Sequence, residues 1–151
     1  MVPVRPAERP DVPAVLALWA RARSAAAVTP DTTEAVERLL ATLPGSLLVA
    51  EHGPEPTIVG ALVAAWDGWR GNMYRLAVDP AHRRRGIATA LGQAQIAWAA
   101  ARGYEELVTT TGVTNNALRR QKARLGYEER PGSVLVRGVV RSLARAPSAG
   151  A

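Results

Sequence analysis

Residues 78–104 read VDPAHRRRGIATALGQAQIAWAAARGY, and this stretch decides the fold. It leaves an apolar strand, passes three adjacent arginines (Arg83, Arg84 and Arg85), and enters a helical pattern through Gly86, Ile87 and Ala88. Neighbouring like charges repel and glycine is a poor helix former, so local propensity does not account for the arrangement. A helix N-terminus offers backbone N–H groups without intrahelical partners and the positive end of the helix dipole. Gly86 lacks a Cβ and lets an anion approach the backbone, and Ala88 nearly preserves that clearance. Arginines at the mouth add charge and forked donors suited to phosphate. The stretch predicts a strand–loop–helix cradle for a pyrophosphate; the bland alternative is a solvated basic loop with an ordinary glycine turn.

Working outward, Ile87, Leu91, Ala94 and Trp98 recur at helical spacing, giving a helix over 86–102 that faces a sheet. The strand before the cradle covers Asn72–Val78, after a loop DGWRG. Upstream, VPVRPA reads as a first strand, and Asp11 followed by Val12 and Pro13 as a capped helix start running to about Ser24. Asp31 and Glu34 have capping-box spacing for a second helix that Pro44 and Gly45 end. Two strand-like runs follow, Ser46–Glu51 and Thr57–Trp66. Downstream, ELVTTT predicts a fifth strand, Asn115–Leu125 a fourth helix and SVLVRGVV a last strand. The order is β-α-α-β-β-β-α-β-α-β, an α/β fold with helices covering a mixed sheet.

A length of 151 residues predicts a single domain over 1–141, with 142–151 a small, polar, fraying tail. At 48% apolar residues the chain builds an ordinary core, and the lack of cysteine excludes disulfides and thiolate metal sites. The opening MVPVRPAERP has prolines and charges where a signal peptide needs an apolar run, and no stretch reaches membrane-span length, so the expected location is cytoplasmic, with no membrane partner. The net charge of +6 gathers in two runs, Arg83–Arg85 and Arg119, Arg120, Lys122, Arg124. Two local clusters suit a compact polyanion at least as well as a nucleic-acid backbone.

Arg83-Arg84-Arg85-Gly86-Ile87-Ala88 resembles the R/Q-x-x-G-x-G/A signature of the GNAT N-acetyltransferase superfamily. LAVDPAHRRRGIATAL is similar to that family's strand, loop and helix as a whole, and NNALRRQKARLGYEE to its second motif, closing in Leu125-Gly126-Tyr127. DGWRGNMYRLAV, residues 67–78, further resembles a branch of small bacterial members with Asp-Gly-x-Arg-Gly before strand four. The resemblance covers roughly residues 2–141. It implies a central mixed, mostly antiparallel sheet splayed between strands four and five, with acetyl-CoA as co-substrate and no metal. Pantetheine would add to the backbone of Leu76, Ala77 and Val78. The amides from about Arg84 to Thr89 would hold the pyrophosphate, with at least one of Arg83, Arg84 and Arg85 on a phosphate. Asn115 would meet the pantetheine arm, and Arg119 or Arg120 the adenosine phosphate.

The chain departs from the family pattern at the tyrosine that donates a proton to the departing thiolate. Counting back from Gly126, that position holds Lys122, the only lysine of the chain. Reference pKa values near 10 for tyrosine and 10.4 for lysine make the two comparable donors, and an ammonium also stabilises a thiolate by charge. Lys122 is therefore either the replacement or a solvated helix lysine. Strand four holds no carboxylate. The candidates for the general base are Asp67, preferred, then Glu51 and Tyr74, each with a bland alternative as turn former, surface acid or core ring. His52 reads as surface, and His82 sits just before the arginines. Trp66 and Trp69 flank Asp67 and form either an acceptor pocket or simple packing.

The function expected from these readings is N-acetyl transfer from acetyl-CoA to a primary amine, by direct attack in a ternary complex. No acyl-enzyme is expected, because there is no cysteine. A strand-four amide would help hold the oxyanion. Residues 24–33, 67–71 and 128–133 would shape the acceptor pocket, and no motif among them names the acceptor. One alternative is a non-catalytic acyl-CoA-binding regulatory or interaction domain. A basic nucleic-acid module is the other; no groove-reading or stacking element supports it, so no nucleic-acid partner is expected. The resemblance leans toward a homodimer; SVLVRGVV is apolar enough to pair across one, and an intramolecular partner would serve it as well.

Overall fold

The computed structural model describes residues 2–23, 29–110 and 115–129. Five strands pair in chain order: β1 (Val4–Pro6), β2 (Leu47–His52), β3 (Thr57–Trp66), β4 (Gly71–Val78) and β5 (Leu107–Thr109). The first four are antiparallel and β5 joins β4 in parallel. The mixed sheet expected from sequence is thus present. The last expected strand, SVLVRGVV, and the tail lie outside the described residues.

Both faces of the sheet are covered, which is why β2 and β3 are apolar almost throughout rather than alternating. On one face α1 (Val12–Ala22) and α2 (Thr33–Thr42) pack Val15, Leu18, Trp19 and Val36 against Leu47, Val49, Ala61, Val63 and Ala77. On the other, α3 (Ile87–Ala100) sets Ile87 and Leu91 against Leu48, Ala50, Leu62 and Met73. Full burial of Leu18, Leu47, Leu62 and Leu91 contributes about 2 kcal/mol each. The last described helix, α4 (Asn116–Arg124), joins the α3 side, where Leu118 packs on that core and the Gln121 amide donates to the Ala88 carbonyl at 3.1 Å. Gly60 allows α3 to sit close: a Cβ there would lie 2.6 Å from Ile87 Cγ2.

Two expected helix caps are differently employed. Asp11 does not cap α1; its carboxylate accepts from the Glu8 N–H at 2.7 Å and from Arg5 at 2.7 and 3.0 Å. Thr32, not Asp31, caps α2, accepting from the Ala35 N–H at 3.2 Å. Each displaced aspartate has found a guanidinium, and a charge-assisted pair outweighs one neutral cap bond.

One irregularity shapes the site. Ala61 pairs with Ala77 and Val63 with Tyr74, so Leu62 alone faces two residues, Arg75 and Leu76. The extra residue is a β-bulge, and Arg75 adopts a left-handed φ of 49°. Met73, Leu76 and Val78 pack on the α3 face and Ala77 on the α1 face. The bulge puts Tyr74 and Arg75, neighbours in sequence, together on the α1/α2 side, where both line one cavity.

Candidate active site

β4 runs directly into the expected cradle. Asp79 caps a short turn at Pro80–His82, accepting from the Ala81 N–H at 2.9 Å, and its other oxygen takes the Arg21 guanidinium of α1 at 2.8 Å. Arg84 and Gly86 then both take left-handed conformations, with φ of 66° and 78°. Gly86 is the N-cap of α3 and supplies no side-chain cap, so the first N–H groups of the helix face outward without one. A Cβ on Gly86 would meet nothing within 4 Å; the glycine serves the backbone turn and keeps open space in front of the amides. Arg83, Arg84 and Arg85 are exposed at the mouth, and Arg83 Nε reaches back to the Val78 carbonyl at 3.4 Å.

β5 pairs with β4 only over Gly71, Asn72 and Met73. From Tyr74 to Val78 the β5-facing edge of β4 has no partner among the described residues. The open edge spans about 17 Å from Met73 to Val78 at roughly 3.3 Å per residue. An extended amide-bearing chain can add to it by backbone hydrogen bonds, and its far end meets the α3 cradle. The expected coenzyme residues Leu76, Ala77, Val78 and Arg83 to Thr89 are therefore contiguous. Asn115 stands at the start of α4, where its side chain caps the helix through the Leu118 N–H at 3.1 Å. Arg119 is engaged by Glu129 through two bonds of 2.7 and 2.8 Å, so a phosphate there has to displace a carboxylate.

Lys122 is buried rather than solvated. It is 5% exposed, with Nζ 2.7 Å from Met73 Sδ and 4.8 Å from the centre of the Tyr127 ring. Met73 belongs to the last β4–β5 pair, so the amine stands where the open edge begins. Burial pushes its pKa down to about 8, since a low-dielectric surrounding penalises the charged form. The Tyr127 hydroxyl is buried and has no hydrogen-bond partner among the described residues, and burial raises that phenol.

The base candidates fare differently. Asp67 is a turn former: Oδ1 accepts from the Trp69 and Arg70 N–H groups at 3.0 Å each, and Oδ2 from the Asn72 amide at 3.3 Å. The Arg70 and Trp69 amides hold its pKa below the ordinary carboxylate value, which opposes proton uptake. Glu51 is taken by Arg5, at 2.7 and 3.0 Å. Tyr74 is exposed and lines the cavity on the α1/α2 side. His52 and His82 meet edge to face at 5.3 Å. The two tryptophans do not make one pocket: Trp66 stacks on Tyr104 at 4.3 Å, while Trp69 is 87% exposed.

Asp31 and Thr32, within the 24–33 stretch expected to shape the acceptor pocket, line that cavity, and residues 24–28 of the stretch lie outside the described residues; sequence reading missed Arg75 and Trp19. Asp31 accepts from Arg75 Nε at 2.7 Å and also from Arg23, while Arg75 lies 5.8 Å over the Trp19 ring. The available signal was an unpaired arginine in an otherwise apolar strand. Among the described residues, no cluster of three or more His, Asp or Glu is placed to hold a metal ion, and no helix is long and apolar enough to cross a membrane.

The Acetyltransferase (GNAT) family model matches residues 13–127, and the chain belongs to that family: it is an acetyl-CoA-dependent N-acetyltransferase. It is 34% identical over 128 residues to acetyltransferase plu1384 of Photorhabdus laumondii, covering 84% of this chain and 87% of that one. Among solved structures it resembles the diaminobutyrate acetyltransferase EctA of Paenibacillus lautus, in complex with L-2,4-diaminobutyric acid and coenzyme A. That likeness has a TM-score of 0.68 at 26% identity, over 83% of this chain and 74% of the other. The NatC complex bound to Gag peptide and CoA gives a TM-score of 0.71 at 20% identity, over 82% of each chain, a likeness of fold.

Proposed function

We propose that the chain acetylates a primary amine by direct attack within a ternary complex, with Lys122 as proton donor and Tyr74 as the group that receives the amine proton. Acetyl-CoA supplies the acyl group as a thioester. The backbone of Leu76, Ala77 and Val78 binds its extended arm, and the Arg84–Thr89 amides with the exposed arginines bind its pyrophosphate. A β4 N–H stabilises the oxyanion as the amine nitrogen bonds to the carbonyl carbon. Lys122 then gives its proton to the sulfur as the carbon–sulfur bond breaks, and Tyr74 relays the amine proton to water. Asp67 and Glu51 are spectators, engaged respectively in a turn and an ion pair.

The observation that carries this proposal is the open edge of β4 leading into an uncapped α3 N-terminus. Calorimetric titration with acetyl-CoA tests it, using the native chain and Gly86→Glu. The native chain should bind and the variant should not, because its carboxylate occupies the clearance and repels the pyrophosphate. Equal binding by both would place the coenzyme elsewhere.

A further inference from the structure

We propose that the cavity between α2 and the β3–β4 surface takes the acceptor, and that the acceptor is an amine of amino-acid size with an apolar group and a carboxylate, the carboxylate being read by Arg75 of the cavity wall, with Arg23 behind it on the shared Asp31. This rests on the acyl transfer proposed above and names the substrate class for it.

The cavity holds about 310 Å³, at the lower end of small-molecule sites, which suits a metabolite rather than a folded partner. Its walls are apolar, with Val36, Leu39, Val63, Ala65 and the Trp19 ring, and its polar groups gather around Asp31, Arg75 and Tyr74. It lies on the α1/α2 side of Tyr74 and Arg75, the two residues that follow the last β4–β5 pair. A group in the cavity therefore adjoins the start of the open edge, across the sheet from Lys122.

The charge at this end has a definite sign. One carboxylate, Asp31, is shared by two guanidiniums, Arg23 and Arg75, with side chains 14%, 17% and 29% exposed. Residues 24–28, Ser-Ala-Ala-Ala-Val, carry no charge. The cluster keeps a net positive charge in a partly dry setting, where screening is weak. A polyamine or aminosugar is repelled there, whereas a carboxylate gains forked donors as it displaces or joins Asp31. The apolar walls then hold the rest of the molecule.

The backbone gives independent support. Arg75 stands in a left-handed conformation that costs a non-glycine residue about 1–2 kcal/mol. Glycine adopts it without that cost, yet the position carries an arginine, turned by the bulge onto the cavity side. Backbone strain kept for a charged side chain marks a functional position.

The test measures coenzyme A release from acetyl-CoA with L-phenylalanine and L-leucine, against phenethylamine and isoamylamine, which lack only the carboxylate, and against spermidine. The expected result is a kcat/KM at least tenfold higher for the amino acids than for their decarboxylated partners. Arg23→Gln should abolish that preference by raising the amino-acid KM while leaving the KM for acetyl-CoA unchanged. Arg75→Lys, which keeps the charge and loses the fork, should fall between. A preference for spermidine or the plain amines overturns the inference, and so does failure of both amino acids to react; turnover of any of the other amines in the same assay shows that the transferase proposal survives. Loss of acetyl-CoA binding in the native chain would overturn both.

Discussion

Lys122 Nζ lies 2.7 Å from Met73 Sδ, and Met73 is the β4 residue of the last pair with β5. An amine is thus fixed, among apolar atoms, at the point where two parallel strands part. With its pKa pushed down to about 8, it is matched to a departing thiol whose own pKa is near 8.5. As the proposed donor, Lys122 works protonated, so kcat should decline as pH rises through about 8. In Lys122→Met that descending limb should vanish and kcat at pH 7 should fall on the order of 10²-fold, the usual scale of general acid catalysis. An unchanged pH–rate profile would remove Lys122 from the chemistry.

The same burial affects stability. The folded-state pKa lies below that of the unfolded chain, from 10.5 to about 8, so the unfolded state holds more protons between those values. Below pH 8 both states are protonated and the folded state carries the full cost of a buried charge. Between pH 8 and 10.5 the native lysine sheds its proton and stability rises. Lys122→Met should accordingly be the more stable protein at pH 7, by up to roughly 3 kcal/mol. Denaturant melts at pH 7 and pH 10 should show that advantage shrinking at the higher pH.

Gly60→Ala probes the seat of α3. The new methyl would stand 2.6 Å from Ile87 Cγ2 and 3.0 Å from Leu91 Cδ1, so the first turn of the helix must move off the sheet. Overpacking of this kind costs about 1–3 kcal/mol. Because that turn is the proposed pyrophosphate cradle, acetyl-CoA affinity should fall with Tm. A loss of Tm at constant affinity would separate the cradle from its packing.

Asp67→Ala should unsettle the β3–β4 turn and lower Tm slightly, since two backbone N–H groups and the Asn72 amide lose their acceptor. Its kcat should stay within about twofold of the native value, whereas Tyr74→Phe, which removes the proposed relay hydroxyl, should lower kcat on the order of 10²-fold. The opposite pair of results would restore Asp67 as the base.

Where a group of residues is contiguous in the chain, its placement was legible in the sequence. The strand–arginine–glycine–helix run predicts a strand, a turn and an open helix N-terminus in that order, and the structure has them, because every group involved lies within one local motif; the edge beside it was implied only by the family resemblance. Spacing predicts Asp11 and Asp31 as helix caps, since it reveals a nearby backbone N–H but not a guanidinium brought across by folding; Arg5 and Arg75 take them instead. The burial of Lys122 was equally hidden, because it depends on α4 lying over Met73, a contact between residues 49 apart in the chain. The bulge at Arg75 depends on which residues of β3 lie opposite, and no property of NMYRLAV alone announces it.

That bulge also bears on what a deletion would do. Without Arg75, Leu76 would sit opposite Leu62, and Met73, Tyr74, Leu76 and Ala77 would alternate between the faces they already occupy. The resulting strand would be regular, with its core contacts kept and its left-handed residue gone. A straighter β4 is also free to continue its ladder with β5 past Met73 and zip the slot shut. Shortening the chain by this one codon should therefore yield a sounder sheet with nowhere for a thioester to lie.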